Sequence, residues 1–146
     1  MLNKDDCKLL ETVNIKTAKF TLLGHKTYAK CVYVYDGDTV HVVFKMPNGN
    51  ECYKWVVRMN GIDTPEMKSK NVTEKKAAVL ARDFLKEQIL DKIIIVDCLE
   101  FDKYGRLLAE LYTEGNPVSL SRQMIEKGHA KAYDGGTKEG WGDLEE

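Results

Sequence analysis

Three short charged motifs hold the residues of this 146-residue chain that are best suited to chemistry. They are Asp-Gly-Asp-Thr at 36–39, Arg-Met-Asn-Gly-Ile-Asp-Thr-Pro-Glu at 58–66 and Asp-Lys-Tyr-Gly-Arg at 102–106. Together they offer oxygen ligands for a hard divalent cation, a further carboxylate and two guanidinium groups. Such a set is suited to hydrolysis of a phosphodiester, because fixed cations stabilise the charge that builds on the phosphoryl oxygens.

A cation site is predicted at Asp38 and Asp63, since one begins the second predicted strand and the other follows the third. Two carboxylates held close together repel each other unless a cation lies between them. Thr64 precedes a proline, which favours an extended backbone and could direct its carbonyl oxygen towards the same cation. Oxygen-only ligation favours Ca²⁺ or Mg²⁺ over zinc. Taken singly, Asp36 and Asp38 are explained as turn formers and Asp63 as a cap; the combination of motifs favours the cation.

Glu66, Arg58 and Arg106 complete the predicted site. Glu66 could orient a water molecule near the cation or accept its proton. Each guanidinium could bind two phosphate oxygens at once. The alternative is a solvated Glu66 and surface salt bridges from the arginines to Asp63 and Asp102.

Aromatic and basic residues near the third motif suggest contacts to a nucleotide. The turn ending in Gly105 would present Lys103 and Tyr104 on one rim, and Tyr133 could join Tyr104 in stacking on a base or binding a phosphate. Packing at the rim is the alternative for both tyrosines. No role is assigned to the histidines, which share no ligand spacing: His25, His41 and His129.

The pattern of apolar and turn residues predicts three strands, a helix, two strands and a second helix. The strands are expected at 28–35, 39–45, 52–59, 93–96 and 107–112. The first helix would be capped by Asn71 with Glu74 reaching back, and the second would start at Asn116 and stop at Gly128. This order favours an α+β, mostly β architecture, a five-stranded OB-fold barrel with two to three helices. The face of the first helix expected to be buried comprises Ala77, Leu80, Ala81, Phe84, Leu85 and Ile89.

Three regions are predicted: an irregular lead-in with one short strand at 1–27, the barrel domain at 28–133, and a mobile Gly-rich acidic tail at 134–146 on which Trp141 could dock back. The first residues lack the features of a secretory signal, and no apolar run is long enough to span a bilayer. We therefore expect an intracellular protein without a membrane partner. We also expect a monomer. Cys31, Cys52 and Cys98 are expected to be buried thiols. A net charge of −1 implies that attraction for nucleic acid is local.

The three motifs, together with Gly-His-Ala-Lys at 128–131, resemble in order and spacing those of the staphylococcal (micrococcal) nuclease or thermonuclease family. The resemblance covers residues 28–133. It implies a barrel with packed helices and Ca²⁺-dependent cleavage of DNA and RNA that leaves 3′-phosphate ends. By the same resemblance Asp38, Asp63 and the Thr64 carbonyl would hold Ca²⁺, and Glu66 would serve the attacking water.

The resemblance also implies how the substrate is held. Arg58 and Arg106 would bind the scissile phosphate, and Arg106 would assist the leaving group. Lys103 and Tyr104 would contact a neighbouring phosphate, and Tyr133 would lie beside the nucleotide. The chain departs from the founding enzyme in a shorter segment after the second motif, a small offset near Tyr133, and a near-neutral charge with an acidic tail in place of a further helix.

These observations favour a nuclease that acts on DNA and RNA with little sequence preference and prefers single strands. A catalytically silent barrel that binds nucleic acid or protein is the alternative, and a plain oligonucleotide-binding barrel is a third possibility. The enzyme is favoured because every charged position of the site is filled, whereas neither alternative requires Arg58, Asp63 and Glu66 together.

Overall fold

A closed five-stranded barrel forms the body of the protein in a computed structural model, which describes residues 1–136 and 141. Neighbouring strands follow the order β1-β2-β3-β6-β5, and all pairings are antiparallel except β3 with β6. The predicted OB-type barrel is therefore confirmed. The helices are α1 (Lys4–Leu10), α2 (Val72–Ile89) and α3 (Leu120–Glu126). The strands are β1 (Lys26–Val34), β2 (Thr39–Lys45), β3 (Cys52–Met59), β4 (Ile62–Asp63), β5 (Ile93–Phe101), β6 (Leu107–Tyr112) and β7 (Lys131–Ala132).

The barrel interior is filled by alternate residues of each strand, as a pleated strand requires. In β2, for example, Val40, Val42 and Phe44 are buried, and the residues between them face outwards. Helix α2 packs against the barrel core through Ala81, Leu85 and Ile89, and Ala78 is also buried.

The face of α2 predicted from sequence was partly wrong, because Leu80 is 62% exposed. The buried residues recur at spacings of three and four from Ala78, which places Leu80 on the opposite side of the helix.

The lead-in also differs from the prediction, since it contains a helix and no strand precedes Lys26 among the described residues. Helix α1 begins after Asn3, whose side chain accepts a hydrogen bond from the Asp5 N–H. Asp5 and Asp6 lie in its first turn, where negative charge favours a helix N-terminus. These local signals outweigh the weak apolar periodicity that suggested an irregular segment.

Of the two interactions predicted at the N-terminus of α2, one is present and the other is not. Asn71 accepts from the Glu74 N–H, but the Glu74 carboxylate accepts from the Glu66 N–H at 2.9 Å instead of reaching back. The second motif is thereby tied to α2, a tertiary contact that the local sequence pattern could not reveal.

The predicted start of α3 at Asn116 was wrong. Asn116 closes a turn by accepting from the Val118 N–H, and Ser119 is the N-cap, accepting from the Arg122 N–H. Gly128 adopts a φ of 78° just after the helix, as expected of a C-terminal stop.

Burial of the cysteines was predicted correctly for Cys31 and Cys98 but not for Cys52, the outward-facing first residue of β3. Burial raises the pKa of the Cys31 and Cys98 thiols to about 11. Trp141 is 7% exposed and lies against Lys131, whose Nζ is 4.4 Å from the ring centroid, so the expected docking of this residue is confirmed. The remainder of the predicted mobile tail, 137–140 and 142–146, lies outside the described residues.

None of the helices in the described ranges is long and apolar enough to cross a membrane.

Candidate active site

The first motif forms the turn between β1 and β2. Asp36 Oδ1 accepts hydrogen bonds from the N–H groups of Asp38 and Thr39, at 3.0 and 2.9 Å. Gly37 packs tightly here, since an added Cβ would lie 3.0 Å from the Ala81 Cβ and 3.0 Å from the Thr64 Cγ2. Glycine is thus needed for a close approach, which brings the turn against both α2 and the second motif.

Asp38 joins the first motif to the second. Its Oδ1 accepts from the Thr39 hydroxyl at 3.0 Å and its Oδ2 from the Thr64 hydroxyl at 2.9 Å. Arg58 Nη2 lies 3.5 Å from the same Oδ2. Asp38 is 8% exposed, and three contacts hold its carboxylate in position at the wall of a cleft.

Arg58 lies at the end of β3, opposite Thr39 of β2, and is 8% exposed. Its Nη1 donates to the Met59 carbonyl and its Nη2 to the Ile62 carbonyl, both at 2.8 Å. The expected alternative, a surface salt bridge to Asp63, was wrong, because the ion pair is buried and is made with Asp38. A guanidinium has five N–H donors. The two backbone carbonyls accept hydrogen bonds from two of these donors, which fixes the plane of the guanidinium. Its other N–H donors are not used by the backbone in the part of the chain that the structure describes.

Asp63 and Thr64 are buried beside this pair, at 5% and 3% exposure. Asp63 lies between Ile62, whose carbonyl binds Arg58, and Thr64, whose hydroxyl binds Asp38. Its strand, β4, pairs with β7, where Lys131 is its partner in register. The backbone at Asp63 is therefore held near Asp38 and Arg58 by the residues on either side of it, although Asp63 lines neither of the two clefts described below.

The donors in this region suit a hard cation. The pKa of Asp36 is raised to about 7, mainly by burial and secondly by the negative charge on Asp38. The surroundings of these carboxylates therefore disfavour additional negative charge. No group of three or more His, Cys, Asp or Glu side chains that could hold a metal occurs in residues 1–136 or at 141. The predicted cation site does not require three such side chains, because its donors are two carboxylates and the Thr64 backbone carbonyl. These oxygens fit Ca²⁺ or Mg²⁺, with water in the remaining positions.

Glu66 is exposed and lines the cleft into which these groups open. Its backbone is anchored because its N–H donates to Glu74 Oε2 at 2.9 Å. Glu74 is thus a positioning residue that sequence analysis assigned only to a helix cap.

The sequence analysis predicts phosphodiester cleavage with Glu66 serving the attacking water; on that prediction, Glu74→Ala should lower turnover on the order of tenfold, because small misplacement of a reacting group is costly. Glu74→Gln keeps an acceptor oxygen for the Glu66 N–H and is the matched control. Steady-state rates of both variants check this; equal losses in the two would contradict a role for the hydrogen bond.

Asp102 organises the third motif. Its Oδ1 accepts from the N–H groups of Tyr104 and Arg106, at 2.8 and 2.9 Å, and its Oδ2 accepts from Arg106 Nε at 2.7 Å. Gly105 permits the turn with a φ of 83°. Burial acts to raise the pKa of Asp102, but the hydrogen bonds from Arg106 and Tyr104 outweigh it and lower the pKa. The expected alternative for Arg106, a salt bridge to Asp102, is present, and it orients the guanidinium.

Two clefts meet at Arg58 and Arg106, the two residues that line both. The first, of about 410 Å³, contains the carboxylate side of the site and is lined by Tyr35, Asp36, Asp38, Thr39, His41, Val56, Arg58, Thr64, Pro65, Glu66 and Arg106. The second, of about 470 Å³, is lined by Arg58, Met59, Asn60, Gly61, Ile62, Asp102, Lys103, Tyr104, Arg106, Leu108, Tyr133, Asp134 and Gly135. Lys103, Tyr104 and Tyr133 are therefore together, as predicted for nucleotide contacts.

Several cleft residues were missed by sequence analysis. Thr39 binds Asp38 directly, and its place inside the first motif was a usable signal. Tyr35, His41 and Val56 gave no such signal, because their positions at the cleft depend on strand register. His41, to which no role was assigned, lines the first cleft.

A closed five-stranded barrel with two clefts that share a pair of arginines, one side acidic and the other aromatic and basic, defines an OB-type protein with a candidate active site at these clefts. The family described as Staphylococcal nuclease homologue matches this chain over residues 56–141. The chain belongs to this family, and the matched region includes the second and third motifs.

Three individual relatives are between 28% and 31% identical to this chain. An uncharacterized protein of Methanocaldococcus jannaschii is 29% identical over 73% of this chain and 59% of its own length. A protein named endonuclease from Saprolegnia parasitica is 28% identical over 84% of this chain and 63% of its own. A protein named probable endonuclease from Colletotrichum graminicola is 31% identical over 88% and 52%. The chain thus spans between half and two thirds of the length of these relatives.

Proposed function

We propose that this protein is a Ca²⁺-dependent nuclease that hydrolyses phosphodiester bonds of DNA and RNA with little sequence preference and leaves 3′-phosphate ends. The observation that carries the proposal is the meeting of the two clefts at Arg58 and Arg106 beside the buried carboxylates. A phosphate bound between the arginines would have carboxylate oxygens on one side and nucleotide-binding residues on the other. The names of two relatives, endonuclease and probable endonuclease, support this class of reaction.

The residues of the first cleft, together with Asp63, which precedes Thr64 in the chain, would divide the chemistry between them. Asp38, Asp63 and the Thr64 carbonyl would hold Ca²⁺, which when bound supplies positive charge to the phosphoryl oxygens and a site for a water molecule. Glu66 would orient the attacking water and accept its proton.

The arginines would stabilise the charge that develops on the phosphoryl group. Arg58, fixed by two backbone carbonyls, would donate to the non-bridging oxygens from a preorganised position. Arg106 would donate to the same group and to the leaving 5′-oxygen as its bond to phosphorus breaks. Lys103 and Tyr104 would contact the next phosphate, and Tyr133 the nucleoside.

The proposal is tested by incubating the protein with end-labelled single-stranded DNA in Ca²⁺ or in chelator. Shortened products are expected only in Ca²⁺, and they should resist polymerase extension until a phosphatase removes the 3′-phosphate. Binding without cleavage would instead favour a silent barrel. Equal cleavage in chelator, or replacement of Ca²⁺ by Mg²⁺ without loss of rate, would contradict the assignment of the ion.

We expect single strands and frayed A·T-rich ends to be cut faster than a stable G·C-rich duplex. The clefts offer stacking faces and phosphate donors, and a base in a duplex is already stacked. Rates on matched single-stranded and duplex oligonucleotides check this, and equal rates would contradict it.

With a net charge of −1, the salt dependence of nucleic-acid binding should also be shallow, because few counterions are released.

A further inference from the structure

An aromatic surface extends from the carboxylate side of the first cleft over the outside of the barrel. Tyr35, His41 and Val56 line this cleft together with Asp38 and Glu66. Tyr33 continues the surface, because its ring lies edge-on to His41 with centroids 5.1 Å apart. Tyr33 and Tyr35 are 49% and 46% exposed, which leaves ring area available to a ligand. The term outer aromatic surface denotes Tyr33, Tyr35 and His41 below.

Strand register sets this arrangement. Tyr33 of β1 lies opposite His41 of β2, which lies opposite Val56 of β3, so the three side chains form one row across the sheet. A register shift in β1 between Cys31 and Tyr33 allows Tyr33 to face outwards while Cys31 is buried. The Tyr35 N–H donates to the Thr39 carbonyl at 3.0 Å, which fixes its backbone at the cleft.

Positive charge lies in the next row of the same face. Lys30 of β1 and Lys54 of β3 both pair with Val43 of β2, two residues along that strand from His41. Both lysines are exposed. An exposed aromatic row followed by a basic row is the combination that binds single-stranded nucleic acid, since bases stack on the rings and phosphates lie near the cations.

We propose that the outer aromatic surface binds a base of the single-stranded substrate on the opposite side of the scissile phosphate from the Lys103–Tyr104–Tyr133 cleft. The inference rests on the proposed nuclease function. A strand whose phosphate lies between Arg58 and Arg106 can leave through either cleft, and each cleft then holds one flanking nucleotide. The enzyme would thus contact the strand on both sides of the cut, which favours cleavage within a strand over removal of terminal nucleotides.

The test pairs a change in the protein with a change in the substrate. The substrate is a single-stranded oligonucleotide with one phosphodiester among neutral methylphosphonate linkages, made with all bases or with an abasic nucleotide on one side of the cleavable bond or the other. With the wild type, loss of either base should lower kcat/KM on the order of tenfold. With Tyr35→Ala, and with Tyr33→Ala/Tyr35→Ala, loss of the base on one side should have no further effect, while loss on the other side should retain its full effect.

Tyr53→Ala is the matched control. Tyr53 is 51% exposed on the same sheet but hydrogen bonds to Glu51 and lines neither cleft. It should behave as the wild type, and thermal unfolding should verify that all variants are folded. The proposal would be overturned if removal of either base still lowered kcat/KM in Tyr35→Ala as much as in the wild type. It would also be overturned if Tyr53→Ala became insensitive to removal of a base in the way expected of Tyr35→Ala.

Equilibrium binding separates this inference from the proposed function. Fluorescence anisotropy of the same oligonucleotides in chelator requires no cleavage and should give the same pattern of base effects. If the wild type failed to cleave in Ca²⁺ but this pattern were observed, the nuclease would be refuted and the binding site retained. If cleavage occurred and neither assay linked Tyr35 to a base, the binding site alone would be refuted.

Discussion

Asp38→Ala and Asp63→Ala are expected to abolish Ca²⁺-dependent cleavage of single-stranded DNA while the barrel remains folded. Each removes one of two buried carboxylates from the predicted cation site, and the Thr64 carbonyl with the remaining carboxylate is a poor site for Ca²⁺. Arg58 should stay in place in Asp38→Ala because it also donates to the Met59 and Ile62 carbonyls. Cleavage rates over a range of Ca²⁺ concentrations test the expectation.

Asp38→Asn and Asp63→Asn are the matched variants, since they keep the shape of the side chain and change its charge. Ca²⁺ should raise the Tm of the wild type, because a ligand that binds only the folded state stabilises it, and should not raise that of either variant. Asp38→Asn removes the ion pair with the buried Arg58 as well as the repulsion with Asp36, so the Tm of each variant in Ca²⁺ is compared with its own Tm in chelator. Wild-type activity in either asparagine variant would remove that residue from the ligand set.

Arg58→Lys and Arg106→Lys are expected to lower turnover on the order of 10²-fold or more, in line with loss of one preorganised donor to a transition state. Lysine keeps the charge but lacks the planar pair of donors. Turnover and KM on a single-stranded substrate distinguish the possible outcomes. A raised KM with unchanged turnover would mean that the arginines only position the strand.

The two variants should differ in stability. Arg58 is buried and satisfies two backbone carbonyls, so Arg58→Lys should leave at least one carbonyl without its donor and cost about 1–3 kcal/mol of the free energy of unfolding. Arg106 is half-buried and forms an ion pair with Asp102, so Arg106→Lys should change the unfolding free energy by less. Urea titration of both variants measures this difference, and equal losses would show that the two hydrogen bonds of Arg58 contribute little.

The extent to which sequence predicted this site differs between its parts. The three motifs supplied Glu66, Lys103 and Tyr104, which line the clefts that meet at Arg58 and Arg106, whereas Tyr35, His41 and Val56 of the first cleft lie outside the motifs and were missed. Their chemical types and short spacings are local properties that a sequence contains directly. The roles of these residues as metal ligands or catalytic groups stay predictions, which the variants above test.

Regular elements were predictable where local pattern and tertiary packing agree. The bounds of β2, β3 and β6 were predicted at Thr39–Lys45, Cys52–Met59 and Leu107–Tyr112, because alternation and flanking turns mark their ends. Helix α1 was missed because its residues are exposed and give no apolar stripe. The start of α3 was misplaced because Asn116 and Ser119 are both good capping residues, and only the folded chain distinguishes them.

The sequence by itself determined which functional groups this protein carries and the order along the chain of the strands that form its barrel. Tertiary structure alone decided which groups meet: Asp38 with Arg58, Glu74 with Glu66, and the outer aromatic surface with the first cleft. The physical reason is that each of these contacts joins segments distant in sequence, and their approach depends on strand register and on close packing such as that at Gly37. A local pattern specifies the face on which a side chain lies, but the partner on that face is set by barrel closure.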